Sequence, residues 1–140
     1  MNFSARFLIM RNAVALFIVK HFYPRIARVL SFIIGYREFR VWLDDKRPTP
    51  PEYNITVRSS RDAIAFLNTK LVTKISLDHD LGSLTIFGDG YMVATWIEES
   101  AYYGYIPRVD ISIHTDNAAR RPQMKMAIDN ADKYWRRFNQ

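Results

Sequence analysis

Short apolar runs alternate with segments of helical periodicity from residue 40 onward. Four runs are typical of β-strands: 40–43, 54–58, 74–77 and 109–114. Apolar residues recur at helical spacing in three further segments: 61–70, 90–103 and 122–138. The prolines of 46–52 exclude a helix between the first two strands, and the glycines of 82–90 predict a loop. Strands that alternate with helices predict a three-layer α/β domain with a parallel sheet of about four strands.

Residues 1–39 form a different kind of segment, which is apolar and rich in arginine. Pro24 predicts a division into two helices. The longest charge-free apolar run, Ala13–Val19, is far shorter than the roughly 20 residues of a spanning helix, and a secretory signal fits poorly. We predict a helical appendage, 1–39, followed by an α/β domain, 40–140. Three alternatives stay open for the appendage: it lies on a membrane surface, it packs on the domain, or the functional protein starts further along.

The net charge of +6 is concentrated in this appendage. Residues 1–39 carry six basic groups and one acid, whereas 40–140 carry fourteen basic groups and thirteen acids. The basic balance is therefore weak support for a polyanion-binding surface on the domain. The chain has no cysteine, which excludes disulfides, zinc thiolates and cysteine nucleophiles. This composition fits a cytoplasmic protein.

Acidic side chains follow the first and third predicted strands. Asp44 and Asp45 come after the first strand, and Asp78 and Asp80 come after the third. The carboxyl ends of parallel strands share one edge of the sheet, which is where ligands bind in such folds. Carboxylates gathered there repel one another unless a cation neutralises them. We therefore predict Mg²⁺ or Mn²⁺, with these four aspartates as its ligands.

Groups suited to phosphate chemistry lie beside these aspartates. His79 and His114 titrate near neutral pH and can act as an acid–base pair. Arg47, Thr115 and Asn117 can donate hydrogen bonds to a phosphoryl group. Taken singly, each has an ordinary explanation, as a turn, a helix cap or a packed histidine. Their coincidence at three strand ends favours a functional site.

Four motifs in order resemble the cyclic-phosphate-processing receiver-like family of bacteria and their phages: Leu43-Asp44-Asp45-Lys46-Arg47-Pro48, Ser76-Leu77-Asp78-His79-Asp80-Leu81-Gly82, Gly90-Tyr91 with Trp96, and Ile113-His114-Thr115-Asp116-Asn117. The resemblance covers about residues 40–130 and implies a receiver-like, flavodoxin-like fold. It implies that Asp44, Asp45 and Asp78 bind Mg²⁺, while the added histidines suggest turnover of a cyclic phosphate. Two features depart from ordinary receivers: no fifth strand ending in lysine is evident, so that Arg47 or Arg120 would replace it, and the first helix is missing.

The leading functional hypothesis is a metal-assisted phosphoesterase that acts on a cyclic nucleotide or on an RNA 2′,3′-cyclic phosphate end. His79, His114 and Asp78 would be its catalytic residues. Two alternatives stay open: a receiver-type regulator phosphorylated on Asp78, and a non-catalytic module that binds a cyclic nucleotide. Because side chains alternate along a strand, the catalytic hypothesis requires the third strand to end at Asp78, so that His79 can turn towards the site.

Overall fold

A computed structural model describes residues 3–139, except for the side chains of Phe3 and Thr85. Its elements follow one another in chain order: α1 (Phe3–His21), α2 (Pro24–Ile33), β1 (Phe39–Leu43), β2 (Ile55–Val57), α3 (Ser60–Asn68), β3 (Val72–Leu77), α4 (Leu84–Phe87), α5 (Gly90–Tyr103), β4 (Asp110–Ile113) and α6 (Arg121–Phe138). The predicted strands and the longer helices are confirmed. The short helix α4 lies within the segment predicted as a loop, and its four residues are too few to show helical periodicity.

The four strands form one parallel sheet in the order β2-β1-β3-β4. In this register Leu43 lies between Val57 and Leu77, with Ile113 beyond them. These side chains share one face with the row of Val41 and pack into the main hydrophobic core against α3, α5 and α6. The predicted receiver-like α/β fold is confirmed, and the sheet has four strands within residues 3–139.

The second face of the sheet is polar and carries the row Thr56, Trp42, Ser76 and Ser112. Trp42 is buried here, outside the main core, and its ring lies 5.2 Å from that of Tyr53, measured between centroids. The connection 44–54 thus covers part of this face. This covering is a loop and contains no helix.

Local capping explains where the helices begin. The Ser59 hydroxyl accepts a hydrogen bond from the amide of Asp62, and the Asp89 carboxylate accepts one from the amide of Met92. Gly90 opens α5 because a β-carbon there would lie 2.0 Å from the carbonyl oxygen of Asp78. The first turn of α5 can therefore lie directly against the end of β3.

The two N-terminal helices pack on the α/β domain. Ala15, Ile18 and Val19 of α1 and Ala27 of α2 belong to the main core cluster, and α1 contacts α3. Lys20 forms an ion pair of 3.4 Å with Asp62 of α3. No helix within residues 3–139 is both long enough and apolar enough to cross a membrane.

Candidate functional site

Three strand ends bring Asp44, Asp78 and His114 together. The amide of Asp44 donates to Val57, that of Asp78 to Leu43 and that of His114 to Leu77, so that each residue extends the sheet by one hydrogen bond. One ligand atom from each of the three side chains lies within 4.8 Å of the others. The predicted convergence of these three residues at the carboxyl edge is present in the structure.

Asp44 is buried and held as a carboxylate. One of its oxygens accepts the amides of Lys46 and Arg47 at 2.7 Å each, and the other lies 3.1 Å from Nε2 of His114. Burial by itself would raise the pKa of Asp44. The two amide hydrogen bonds and the contact with His114 outweigh this effect, and the pKa lies below its ordinary value.

Arg47 lies among the carboxylates. Its Nη1 is 3.3 Å from Asp44 and 3.5 Å from Asp78, and it donates to the carbonyl oxygen of His114 at 3.0 Å. Its Nη2 pairs with Asp116. Arg47 was predicted to bind phosphate. In the structure its guanidinium instead lies beside the carboxylates of Asp44, Asp78 and Asp116 and partly neutralises them.

His114 is held in one orientation by contacts on three sides. Its ring stacks on Trp42 with 3.7 Å between the centroids, and Nδ1 lies 2.7 Å from the hydroxyl of Ser76. Since ionised Asp44 can only accept, Nε2 carries the proton and Nδ1 accepts from Ser76. Burial lowers the pKa of His114 and outweighs the opposing effect of Asp44, which favours the neutral ring.

The aspartates line a cavity of about 330 Å³ at the carboxyl edge. Its lining residues are Asp44, Asp45, Lys46, Arg47, Asp78, Asp80 and Asp116. Five acids against two basic residues leave three uncompensated negative charges. Asp45 forms no ion pair with any described residue. The cavity is therefore electrostatically suited to a cation.

His79 lies in an adjoining cavity of about 240 Å³, together with Tyr91 and Arg120. Strand β3 ends at Leu77, and the backbone beyond it turns, as the catalytic hypothesis requires. Nδ1 of His79 lies 2.7 Å from Asp80, which lines both cavities. Ionised Asp80 can only accept, so Nδ1 carries the proton and Nε2 is the basic nitrogen, 3.8 Å from Asp89.

The structure does not bring all the predicted residues into one cavity. Neither histidine is among the residues that line the aspartate cavity, and His114 does not line the cavity of His79. Thr115 is buried, and its hydroxyl accepts the amide of Asn117 within a turn. The side-chain amide of Asn117 donates to both oxygens of Asp80, at 3.2 and 3.4 Å.

Several residues of the site were not identified from the sequence. Ser112 donates to Ser76 at 2.9 Å, and Ser76 contacts His114, so that a polar chain crosses the second face of the sheet. The alternation along β4 indicates that Ser112 and His114 share a face, but Ser76 joins them only through the register of β3 with β4. Asp116 gives no local signal beyond its position next to the predicted residues.

A family model described as Cyclic-phosphate processing Receiver domain matches residues 39–130. The chain belongs to this family. The matched range includes the residues of the aspartate cavity, His79 and His114, and the hydrogen-bonded serines Ser76 and Ser112. No curated protein and no solved structure matches the chain at a significant level. Membership of the cyclic-phosphate processing receiver family therefore rests on the family match.

The side chains of the aspartate cavity fit a divalent ion. The carboxylates of Asp44, Asp45, Asp78 and Asp80 are ligands that Mg²⁺ and Mn²⁺ prefer. Among the described residues, only Asp44, Asp78 and His114 bring their ligand atoms close enough together to hold one ion, whereas Asp45 and Asp80 line the same cavity outside this group. As a ligand, His114 would need to free Nε2 of its proton and donate from Nδ1 to Ser76. Imidazole ligation suits Mn²⁺ better than Mg²⁺.

Proposed function

We propose that this protein is a cytoplasmic, metal-assisted phosphoesterase that hydrolyses a cyclic phosphate. The observation that carries the proposal is the arrangement of the two cavities. A cavity with three uncompensated negative charges adjoins one that contains a histidine base and Arg120, and Asp80 belongs to both. A divalent cation in the first cavity would reduce its excess negative charge from three to one, and a phosphate between the two cavities would face this cation and Arg120. The family match supports a role in cyclic-phosphate processing.

His79 is the acid–base group in this proposal. Asp80 fixes its Nδ1 proton and leaves Nε2 free to accept a proton from water. The water oxygen forms a bond to phosphorus, one ester P–O bond breaks, and the proton ends on the leaving oxygen, so that the product is a phosphomonoester. Arg120 lines the same cavity and can pair with a phosphoryl oxygen.

The remaining residues organise the site. Asp44, Asp45, Asp78 and Asp80 would hold the divalent ion, which when bound supplies a Lewis acid and charge neutralisation. Neutral His114 donates from Nε2 to the carboxylate of Asp44 and holds it in place, so that His114 is a positioning residue in the present arrangement. The substrate class is a cyclic nucleotide or an RNA end with a 2′,3′-cyclic phosphate, since both carry a strained or accessible diester of single negative charge.

A turnover assay with matched variants tests the proposal. Protein with Mn²⁺ or Mg²⁺ is mixed with 2′,3′- and 3′,5′-cyclic nucleotides and with an RNA oligonucleotide that ends in a 2′,3′-cyclic phosphate. We expect His79→Gln to lower turnover by about 10²–10⁴-fold, the usual contribution of a positioned acid–base group. His21→Gln is the matched control, because His21 is an exposed histidine on α1.

Two further variants test the cation and the histidine pair. Asp45→Asn should weaken metal-dependent turnover, whereas Asp129→Asn, on the exposed surface of α6, should not. If wild type and a His79→Ala/His114→Ala double variant give equal turnover, the assignment of both histidines is wrong.

A receiver-type regulator is the second candidate function. Asp78 follows the third strand, and the guanidinium of Arg47 lies 3.5 Å from its carboxylate, where it can pair with a phosphoryl group. This function predicts covalent labelling by acetyl phosphate that is lost in Asp78→Asn. Absence of label under any condition would count against it, and recovery of a tightly bound cyclic nucleotide unchanged would favour a non-catalytic binding module.

A further inference from the structure

Helix α2 turns an apolar stripe away from the protein. Ile26, Val29 and Ile33 recur at helical spacing and are 48%, 58% and 73% exposed, respectively. Ala27 and Ser31, on the opposite side of the helix, are buried against the domain. Branched apolar residues in a row on the outer side of a helix are characteristic of a surface that binds a partner.

Helix α1 also exposes apolar side chains. Phe7, Leu8, Ile9 and Met10 follow one another in its first turns, and each is about half exposed. Further along, Phe17 is also exposed, while Ala15, Ile18 and Val19 pack on the core. The first turns of α1 thus present apolar side chains on several sides, which is unfavourable for a helix that contacts only water.

The N-terminal segment that contains these two helices is uniformly basic. Residues 3–37 contain six basic side chains and no acid: Arg6, Arg11, Lys20, Arg25, Arg28 and Arg37. Lys20 is paired with Asp62, and Arg11 and Arg37 lie over aromatic rings. Arg25 and Arg28 form no ion pair with any carboxylate in residues 3–139. These two cations flank the apolar stripe of α2.

A cavity of about 540 Å³ lies beside these arginines, between α2, the end of α3 and Trp96 of α5. Three basic side chains, Arg25, Arg28 and Lys70, line it, and no acidic residue does. Tyr23, Trp96 and Tyr105 form part of its wall. The three cations suit an anionic group such as a phosphate, for which the cavity is more than large enough, and tyrosine and tryptophan are typical of the boundary between water and lipid.

The positive charge of the α1–α2 surface favours an anionic partner over a second copy of the chain. A second copy of the chain, docked through the same face about a twofold axis, would bring two sets of unpaired arginines together. A bilayer of anionic lipid instead provides an apolar phase for the stripe and negative head groups for the arginines. We propose that α1 and α2 form a docking face for an anionic membrane surface, with a lipid head-group phosphate in the cavity of Arg25, Arg28 and Lys70.

Vesicle sedimentation tests this proposal without any measurement of catalysis. The full chain is spun with phosphatidylcholine vesicles that contain none or a third of phosphatidylglycerol, at low and at high salt. We expect binding to the anionic vesicles, little binding to the neutral ones, and weaker binding at high salt. Arg25→Gln/Arg28→Gln should weaken binding about thirtyfold, since each basic residue near an anionic surface contributes roughly fivefold.

Matched variants separate this face from general charge and apolar effects. Lys133→Gln/Arg136→Gln removes the same charge from α6, and Met126→Gln removes an exposed apolar side chain there, so that both should bind like wild type. Val29→Gln/Ile33→Gln should lose binding. The proposal is overturned if anionic vesicles leave the wild type in solution or if the α2 variants bind like the α6 variants. It is also overturned if Val29→Gln/Ile33→Gln abolishes a dimer seen by analytical ultracentrifugation, which would identify a second copy as the occupant.

Discussion

Removal of the Ser76 hydroxyl should destabilise the protein and release His114. Ser76 is almost fully buried, and its oxygen lies 2.7 Å from Nδ1 of His114. Ser76→Ala leaves this half-buried nitrogen without its donor, which costs about 1–3 kcal/mol in the free energy of unfolding. For a chain of this length, with about 2.1 cal/mol/K per residue of unfolding entropy, the loss corresponds to a fall in Tm of roughly 3–10 °C.

Ser31→Ala provides the matched control for this prediction. Ser31 is also fully buried, but its hydroxyl donates to the carbonyl oxygen of Ala27 within α2, so that its loss leaves no side-chain nitrogen unpaired. Thermal unfolding followed by circular dichroism measures the difference, and the ¹⁵N chemical shifts of the histidine rings report the tautomer of His114. Equal Tm values for the two variants, together with an unchanged His114 spectrum, would refute the assigned role of Ser76.

Three further predictions follow from the site and its packing. Burial lowers the pKa of His114 in the folded state, so that the unfolded state binds more protons once the pH falls below the unfolded pKa of about 6.5. The free energy of unfolding should therefore fall as the pH decreases below about 6.5. Denaturant titrations at pH 5 and 7.5 should show that this free energy depends less on pH in His114→Gln than in wild type. Gly90→Ala should lower Tm more than Gly82→Ala, because the new β-carbon at position 90 would lie 2.0 Å from the carbonyl oxygen of Asp78. At Gly82 the nearest atom is 3.6 Å away, and the main cost of alanine there is the positive φ of 84°. A smaller fall in Tm for Gly90→Ala would show that α5 does not lie against β3. Mn²⁺ should raise the Tm of wild type and of Asp129→Asn but not that of Asp45→Asn, and an equal rise in all three would place the ion elsewhere.

The elements that carry a local signal could be predicted from the sequence. The apolar runs of β1 and β3, the helical periodicity of α3 and α5 and the break at Pro24 depend on residues close in sequence, and each of these elements is present in the structure. The short helix α4 was missed because a single turn shows no periodicity. The covering of the second sheet face by the connection 44–54 likewise has no local signal.

The site could be predicted as a set of residues but not as an arrangement. The gathering of Asp44, Asp78 and His114 follows from parallel strand order alone. The position of Arg47 depends on the path of a proline-rich loop, which no pattern specifies. The separation of His79 from His114 depends on how the chain turns after Leu77, and a residue pattern does not determine that turn.

Hydrolysis in ¹⁸O-labelled water is the most direct test of the proposed function. A 2′,3′-cyclic nucleotide is incubated with the protein and Mn²⁺, and the product is examined by ³¹P NMR and mass spectrometry. The proposed attack of water on phosphorus predicts a phosphomonoester with one ¹⁸O atom on phosphorus, formed by wild type and His21→Gln and strongly reduced in His79→Gln. Unchanged substrate across the panel of cyclic phosphates, or a product formed equally by His79→Gln, would contradict it.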